Sequence, residues 1–147
     1  ILVGASGAGK STVGKILGAY TGREVVDTDD CIERNYKLSP EDIIIRYGED
    51  YFRQIEELAV NDACQRRGVI IVAVEAEKNC RAIRRCGKVI WLDRSVDELT
   101  DEHRPVAKRV GAKKLYEMRR PLYSAVCDIK VRNDNPENCA KEILKLI

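Results

Sequence analysis

Short apolar runs alternate with longer amphipathic stretches along the whole chain. Residues 1–4 read as a buried strand feeding a glycine-rich turn, and residues 10–20 as a helix with Val13, Ile16 and Leu17 on one face. Val25-Val26 makes a short second strand that ends at Asp27. Ser39-Pro40-Glu41 is a helix start, with Ser39 as N-cap and Pro40 at the first helical position. Residues 49–67 form a long helix with Phe52, Ile55, Ala59 and Ala63 facing inward, closed by Gly68. Residues 69–74 are a continuous apolar run, the mark of a central parallel strand covered on both faces. Residues 75–86 are helical up to Gly87, 88–92 form a fourth strand, 129–131 a fifth, and 136–147 a closing helix. Residues 112–126 are mostly helical, with Pro121 expected to bend or restart the helix. Strands alternating with helices predict one α/β domain, its parallel sheet flanked by helices on both faces.

Composition narrows the class. Over 147 residues, 44% are apolar and 34% charged, which excludes disorder and supports one packed core. No apolar run approaches the roughly 20 residues of a membrane helix. Lys and Arg number 26 against 24 Asp and Glu, a net charge of +2, so no basic excess points to nucleic acid or a membrane surface. With only one Phe and one Trp, an aromatic base-stacking platform is not expected. Six cysteines, at 31, 64, 80, 86, 127 and 139, form no C-x-x-C pair, and His103 is the only histidine, so zinc-ligand spacing is lacking. Free thiols in a reducing cytoplasm are the reading favoured over disulfides.

One segment carries specific chemistry. Gly4-Ala5-Ser6-Gly7-Ala8-Gly9-Lys10-Ser11 matches G-x-x-x-x-G-K-[ST]. Its glycines let consecutive backbone N–H groups turn inward around a polyphosphate, and the following helix adds its positive N-terminal end. Gly7, Ala8, Gly9, Lys10, Ser11 and Thr12 are the candidate nucleotide-binding residues. Lys10 reaches for the β- and γ-phosphates, and the Ser11 hydroxyl is a hard oxygen ligand suited to Mg²⁺. A chance match in a chain this long is on the order of one in two hundred, and the flanking strand and helix make accident rarer still.

Asp27-Thr28-Asp29-Asp30 lies just past the second strand. Strand C-termini of a parallel sheet face the ligand crevice. Asp27 is placed to hold Mg²⁺, and Asp29 to orient an acceptor hydroxyl and take its proton. The competing reading is helix capping, which Asp and Thr do well. Arg53 and Glu56, three apart, share a helix face, so Glu56 can brace Arg53 for bidentate anion binding; the alternative is a solvated helix face. Arg104-Pro105 sits in a polar stretch, residues 101–111, that reads as a loop able to close over phosphates, and Arg119-Arg120-Pro121-Leu122-Tyr123 places two cations beside the helix-interrupting proline.

These segments together resemble the shikimate kinase family. The phosphate loop, Asp27-Thr28-Asp29, Gly48-Glu49-Asp50-Tyr51-Phe52-Arg53-Gln54-Ile55-Glu56, Arg104-Pro105 and Arg119-Arg120-Pro121-Leu122-Tyr123 occur in family order and span nearly the whole chain. The resemblance implies a P-loop fold of nucleoside-monophosphate-kinase type, a three-layer sandwich whose five-stranded parallel sheet runs 2-3-1-4-5. It implies a single kinase domain, with acceptor-binding helices at about 28–67 and a lid at about 99–112. The implied reaction is transfer of the γ-phosphoryl group of MgATP to the 3-hydroxyl of shikimate in a cytoplasmic monomer. Asp29 would then bind the acceptor and act as base, and Arg53 and Arg119 would clamp the acceptor carboxylate with Glu56 holding Arg53. Arg104 would be a catalytic lid residue on the ATP phosphates. Ser11 and Asp27 would hold Mg²⁺, and residues 133–136 would lie beside adenine.

The family pattern is broken in two places. No triple glycine follows strand three, where Val74 runs into Glu75-Ala76-Glu77-Lys78, and the stretch Leu99-Thr100-Asp101-Glu102-His103-Arg104 is short and lacks a further arginine. Either the acceptor loops have diverged, or the natural chain is longer than this sequence at these points and before Ile1. The absence of an initiator Met, with both deficits at ligand-contacting loops, favours the second reading. Two other functions stay open: a kinase for another hydroxylated acid such as gluconate, and a nucleotide-binding homologue without turnover. A dehydrogenase is excluded, because no G-x-G-x-x-G follows strand one.

Overall fold

The structure is a computed structural model that describes residues 1–73, 80–99 and 111–147. Five strands form one sheet: β1 (Leu2–Val3), β2 (Val25–Asp27), β3 (Ile70–Val72), β4 (Ile90–Asp93) and β5 (Ile129–Arg132). Their order is β2-β3-β1-β4-β5 and every pairing is parallel. Both are what the resemblance implies. Among the described residues, seven helices accompany them: α1 (Lys10–Thr21), α2 (Thr28–Tyr36), α3 (Pro40–Tyr47), α4 (Glu49–Gln65), α5 (Cys80–Cys86), α6 (Ala112–Val126) and α7 (Pro136–Leu146). A short 3₁₀ turn covers Val96–Glu98.

The inner strands β1, β3 and β4 alternate side chains between two apolar layers, which is why their sequences read as apolar runs, whereas the edge strand β5 exposes Lys130 and Arg132. Val3, Ile71, Ala73 and Trp91 point to one face and pack with Val60, Ala63, Ile83, Tyr123 and Val126 from α4, α5 and α6. Leu2, Ile70, Val72, Ile90 and Leu92 point to the other and pack with Val13 and Leu17 of α1 and Ala140 and Ile143 of α7. A third cluster, Ile32, Ile43, Phe52 and Ile55, ties α2, α3 and α4 together outside the sheet.

Helix starts follow local chemistry. Ser39 Oγ accepts from the Asp42 N–H at 3.1 Å with Pro40 in the first turn, and Asn135 Oδ1 does the same for Asn138 at 3.0 Å ahead of Pro136. Two expectations are corrected. Pro121 does not restart the helix: α6 is continuous over Ala112–Val126. Tyr116, Arg119, Tyr123 and Val126 are all buried, so one inward stripe runs through the proline. Packing on both sides of it offsets the missing N–H, a loss of about 3 kcal/mol. In α4, Ala59 is only half-buried, whereas Glu56 and Val60 are buried beside Phe52, Ile55 and Ala63, and the helix ends at Gln65 rather than at 67. Cys31, Cys64, Cys86, Cys127 and Cys139 are free thiols. Burial, then hydrogen bonding with Cys86, pushes the Cys64 thiol up to about 12. The short stretches at 74–79 and 100–110, with His103, Arg104 and Pro105, lie outside the described residues.

Candidate active site

The phosphate loop leaves β1 at Gly4, whose φ is +148° and whose absent Cβ would lie 2.4 Å from the Leu92 carbonyl oxygen of β4. Only glycine permits that approach. Gly9 is constrained twice, by φ +86° and by Asn133 Nδ2, which lies 2.5 Å from where a Cβ would stand. Asn133 follows β5 and is 1% exposed. Its Nδ2 donates to the Ala8 carbonyl at 2.7 Å, and its backbone N–H donates to the Asp93 carbonyl at 2.8 Å. The last strand therefore fastens the middle of the loop to the sheet.

Lys10 opens α1 and is buried at 6% exposure. Its Nζ donates to the carbonyls of Gly4 and Ala5, both at 2.8 Å, which fixes the ammonium at the mouth of the loop. Ser11 Oγ donates to Asp27 Oδ2 at 2.5 Å. Asp27 Oδ1 accepts from the Asp29 N–H at 3.1 Å and caps α2. The capping reading of Asp27 therefore holds through one carboxylate oxygen, and the other meets the Ser11 hydroxyl at the cleft. A hydroxyl and a carboxylate, both hard oxygen donors, share one edge of the cleft, a donor set that fits Mg²⁺. Thr28 is buried, and its Oγ1 donates to the Val72 carbonyl at 3.2 Å, seating the start of α2 on β3.

A cavity of about 290 Å³ opens between these elements, lined by Gly7, Gly9, Lys10, Ser11, Thr12, Asp27, Asp29, Val72 and Arg94. It brings together the loop cation, the hydroxyl and both carboxylates expected from sequence. A larger cavity of about 570 Å³ lies at the opposite edge of the sheet, against Gly68, Gly87 and Lys88, and holds none of the motif residues. Chemistry, not size, selects the smaller one.

Arg53 and Arg119 do not line this cleft. Arg53 projects from α4, where Nη1 lies 2.8 Å from Glu56 Oε2 and Nη2 lies 3.7 Å from Glu49 Oε1. The Arg53 side chain is 10% exposed and that of Glu56 1%, so the pair is braced inside the protein and not on a solvated face. Arg119 is buried in α6 at 8% exposure. One turn earlier, Tyr116 donates to Asp93 Oδ1 at 2.8 Å, and Lys130 Nζ sits 2.9 Å from Asp93 Oδ2. Burial, followed by the bond to Asp93, pushes the Tyr116 phenol up to about 12. This anchor holds the Arg119 helix against the C-terminal edge of the sheet.

Two residues of this region escaped the sequence reading. The resemblance sets Asn133 only in an adenine-side loop, and no motif marks Arg94. The available signal for Arg94 was positional: a charge directly after an apolar parallel strand faces the ligand crevice.

The shikimate kinase family model matches residues 6–147. A shikimate kinase of Dehalococcoides mccartyi is 37% identical, over 91% of this chain and 83% of its own length. Another, of Actinobacillus pleuropneumoniae, is 32% identical over 99% of this chain and 93% of its own, in an alignment of 161 residues. That alignment is longer than the 147 residues present here, so the relative has internal residues this chain lacks. Among solved structures, shikimate kinase from Acinetobacter baumannii in complex with shikimate is similar with a TM-score of 0.91 and 28% identity, covering 99% of this chain and 89% of that one. With the phosphate loop, the strand-two aspartates and the braced arginine in one framework, the chain belongs to the shikimate kinase family of ATP-dependent kinases.

Proposed function

We propose that the chain transfers the γ-phosphoryl group of ATP to the 3-hydroxyl of shikimate, giving 3-phosphoshikimate and ADP. The observation that carries this reading is the convergence of Lys10, Ser11, Asp27 and Asp29 on one cleft. The braced, buried Arg53 adds a cation suited to an acidic acceptor, and membership of the family supports the assignment.

Phosphoryl transfer asks the protein for alignment and charge neutralisation more than for covalent chemistry. The loop N–H groups and Lys10 hold the β- and γ-phosphates. Ser11 and Asp27 would hold Mg²⁺, which neutralises charge on the phosphate oxygens when bound. Asp29, fixed by the cap on its own N–H, accepts the hydroxyl proton as the new P–O bond forms. Arg53 and Arg119 take the acceptor carboxylate, and Glu56 keeps the Arg53 fork in register. Arg104 is assigned to the ATP phosphates through the family resemblance. No helix among the described residues is long and apolar enough to cross a membrane, and the acceptor is a small polar acid.

The test is ADP release, coupled to a dehydrogenase readout, with shikimate, gluconate and other hydroxy acids offered in turn. Turnover with shikimate at the highest kcat/KM is expected. Preference for another acid moves the chain to a different acceptor class. ATP binding with no turnover on any acid refutes the catalytic reading.

A further inference from the structure

Lys10 has company in the phosphate cleft. Among the described residues that line it, Arg94 is the second cation. It stands immediately after β4, where a parallel sheet presents side chains to its ligand. Its Nη1 donates to the carbonyl of Gly7, in the middle of the phosphate loop, at 3.4 Å. Its Nε is buried with no hydrogen bond among the described residues and lies 3.6 Å from Glu98 Oε2 on the 3₁₀ turn. The side chains are 33% and 48% exposed, so the pairing is loose and solvent-screened.

A guanidinium has five N–H donors in a planar fork and never loses its charge. Among the described residues it has one long bond to a neutral carbonyl and one stretched pairing to a half-exposed carboxylate. Terminal phosphate oxygens accept charge-assisted, bidentate bonds that surpass both. The Gly7 carbonyl belongs to the loop whose N–H groups wrap those phosphates, so the fork needs only a side-chain rotation to reach them.

We propose that Arg94 is a second nucleotide-phosphate-binding residue, parked on Gly7 and Glu98 and transferred to the phosphates of a nucleoside di- or triphosphate. The inference rests on the kinase reading for its setting, but it concerns nucleotide affinity alone and is tested without an acceptor. The full chain is titrated with MgATP, MgADP, inorganic tripolyphosphate and adenosine by calorimetry. Arg94→Ala weakens ATP, ADP and tripolyphosphate about 10- to 100-fold, the range of a lost charge-assisted contact, and leaves adenosine within twofold. Arg94→Lys keeps the charge but not the fork and recovers part of the loss. Glu98→Gln removes the parking partner and leaves ATP binding equal or tighter. In steady state, Arg94→Ala raises KM for ATP more than it lowers kcat. A melting temperature of the variant within 2 °C of the parent, taken without nucleotide, shows that the fold is intact.

The proposal is overturned if Arg94→Ala binds ATP within twofold of the parent. It is also overturned if adenosine weakens as much as ATP, which marks a structural brace of the loop. If Arg94→Ala does not fold, the same comparison is made with Arg94→Gln and Arg94→Lys. Loss of ATP binding in a chain that phosphorylates no acid leaves this proposal standing and the shikimate reading refuted. Unchanged ATP binding in an active shikimate kinase does the reverse.

Discussion

Glu56 offers the sharpest test of how the acceptor side is built. It is 1% exposed and sits 2.8 Å from Arg53, itself 10% exposed, while a second carboxylate, Glu49, lies farther from Arg53 at 3.7 Å and is 30% exposed. Glu56→Ala therefore takes the nearer of these two carboxylates from a nearly buried guanidinium. Breaking a buried pair from one side costs about 3–5 kcal/mol. In a domain of this size that lowers the melting temperature by about 10 °C. The neutral Glu56→Gln keeps shape and one hydrogen bond and costs about half as much. Function separates from stability in Arg53→Met/Glu56→Met. An apolar pair of similar volume restores much of the lost stability, because no unpaired charge remains. The same double variant cannot hold an acceptor carboxylate, so shikimate turnover stays lost while MgATP still binds. The assays are thermal melting, calorimetric ATP titration and coupled ADP release on all the variants and the parent. If Glu56→Ala melts within 1 °C of the parent, or if the two Met substitutions simply add, the reasoning about the buried pair is wrong. If Glu56→Ala raises KM for ATP as much as KM for shikimate, Arg53 is not an acceptor-side group.

Two further tests probe the scaffold. Asn133→Ala removes the donor to the Ala8 carbonyl and is expected to weaken ATP about 3- to 10-fold with KM for shikimate unchanged; equal loss on both substrates would refute a loop-specific role. Tyr116→Phe removes one charge-assisted bond while Asp93 keeps Lys130, which costs about 1–2 kcal/mol. Because the Tyr116 phenol is raised from 10 to about 12 in the fold, its contribution is complete below pH 10 and is lost as pH rises toward 12. Denaturant titrations at pH 8 to 12 should show that alkaline loss in the parent and a shallower one in the Phe variant.

The sheet was legible in the sequence because its inner strands β1, β3 and β4 are buried on both faces and so carry uninterrupted apolar runs. The loop at Gly4–Ser11 was legible because its chemistry is local: consecutive amides, one ammonium and one hydroxyl fit within eight residues. Pro121 misled because a local rule met a tertiary one. The buried spacing of Tyr116, Arg119, Tyr123 and Val126 continues through the proline, and that stripe was the better guide. Arg94 and Asn133 were missed for a different reason. Their partners, Gly7 and Ala8, lie 87 and 125 residues away along the chain, and no periodicity encodes such a meeting.

The bond from Asn133 to Ala8 also sets an order of events during synthesis. Domains emerge from the ribosome N-terminal end first. Residues 4–11 are thus made well before the strand that pins them, whose Asn133 follows 125 positions after Ala8. A nascent chain ending before Asn133 has the nucleotide-binding motif in sequence without the support that shapes it. Competence to bind ATP should therefore arrive late and abruptly. Stalled chains of increasing length, probed with an immobilised ATP analogue, would show capture rising in one step once β5 and Asn133 are free. Gradual capture from chains that end near residue 70 would show that the loop shapes itself. The contact that looks like a small local fastening is in this sense a checkpoint, linking the phosphate loop to a residue translated 125 positions after it.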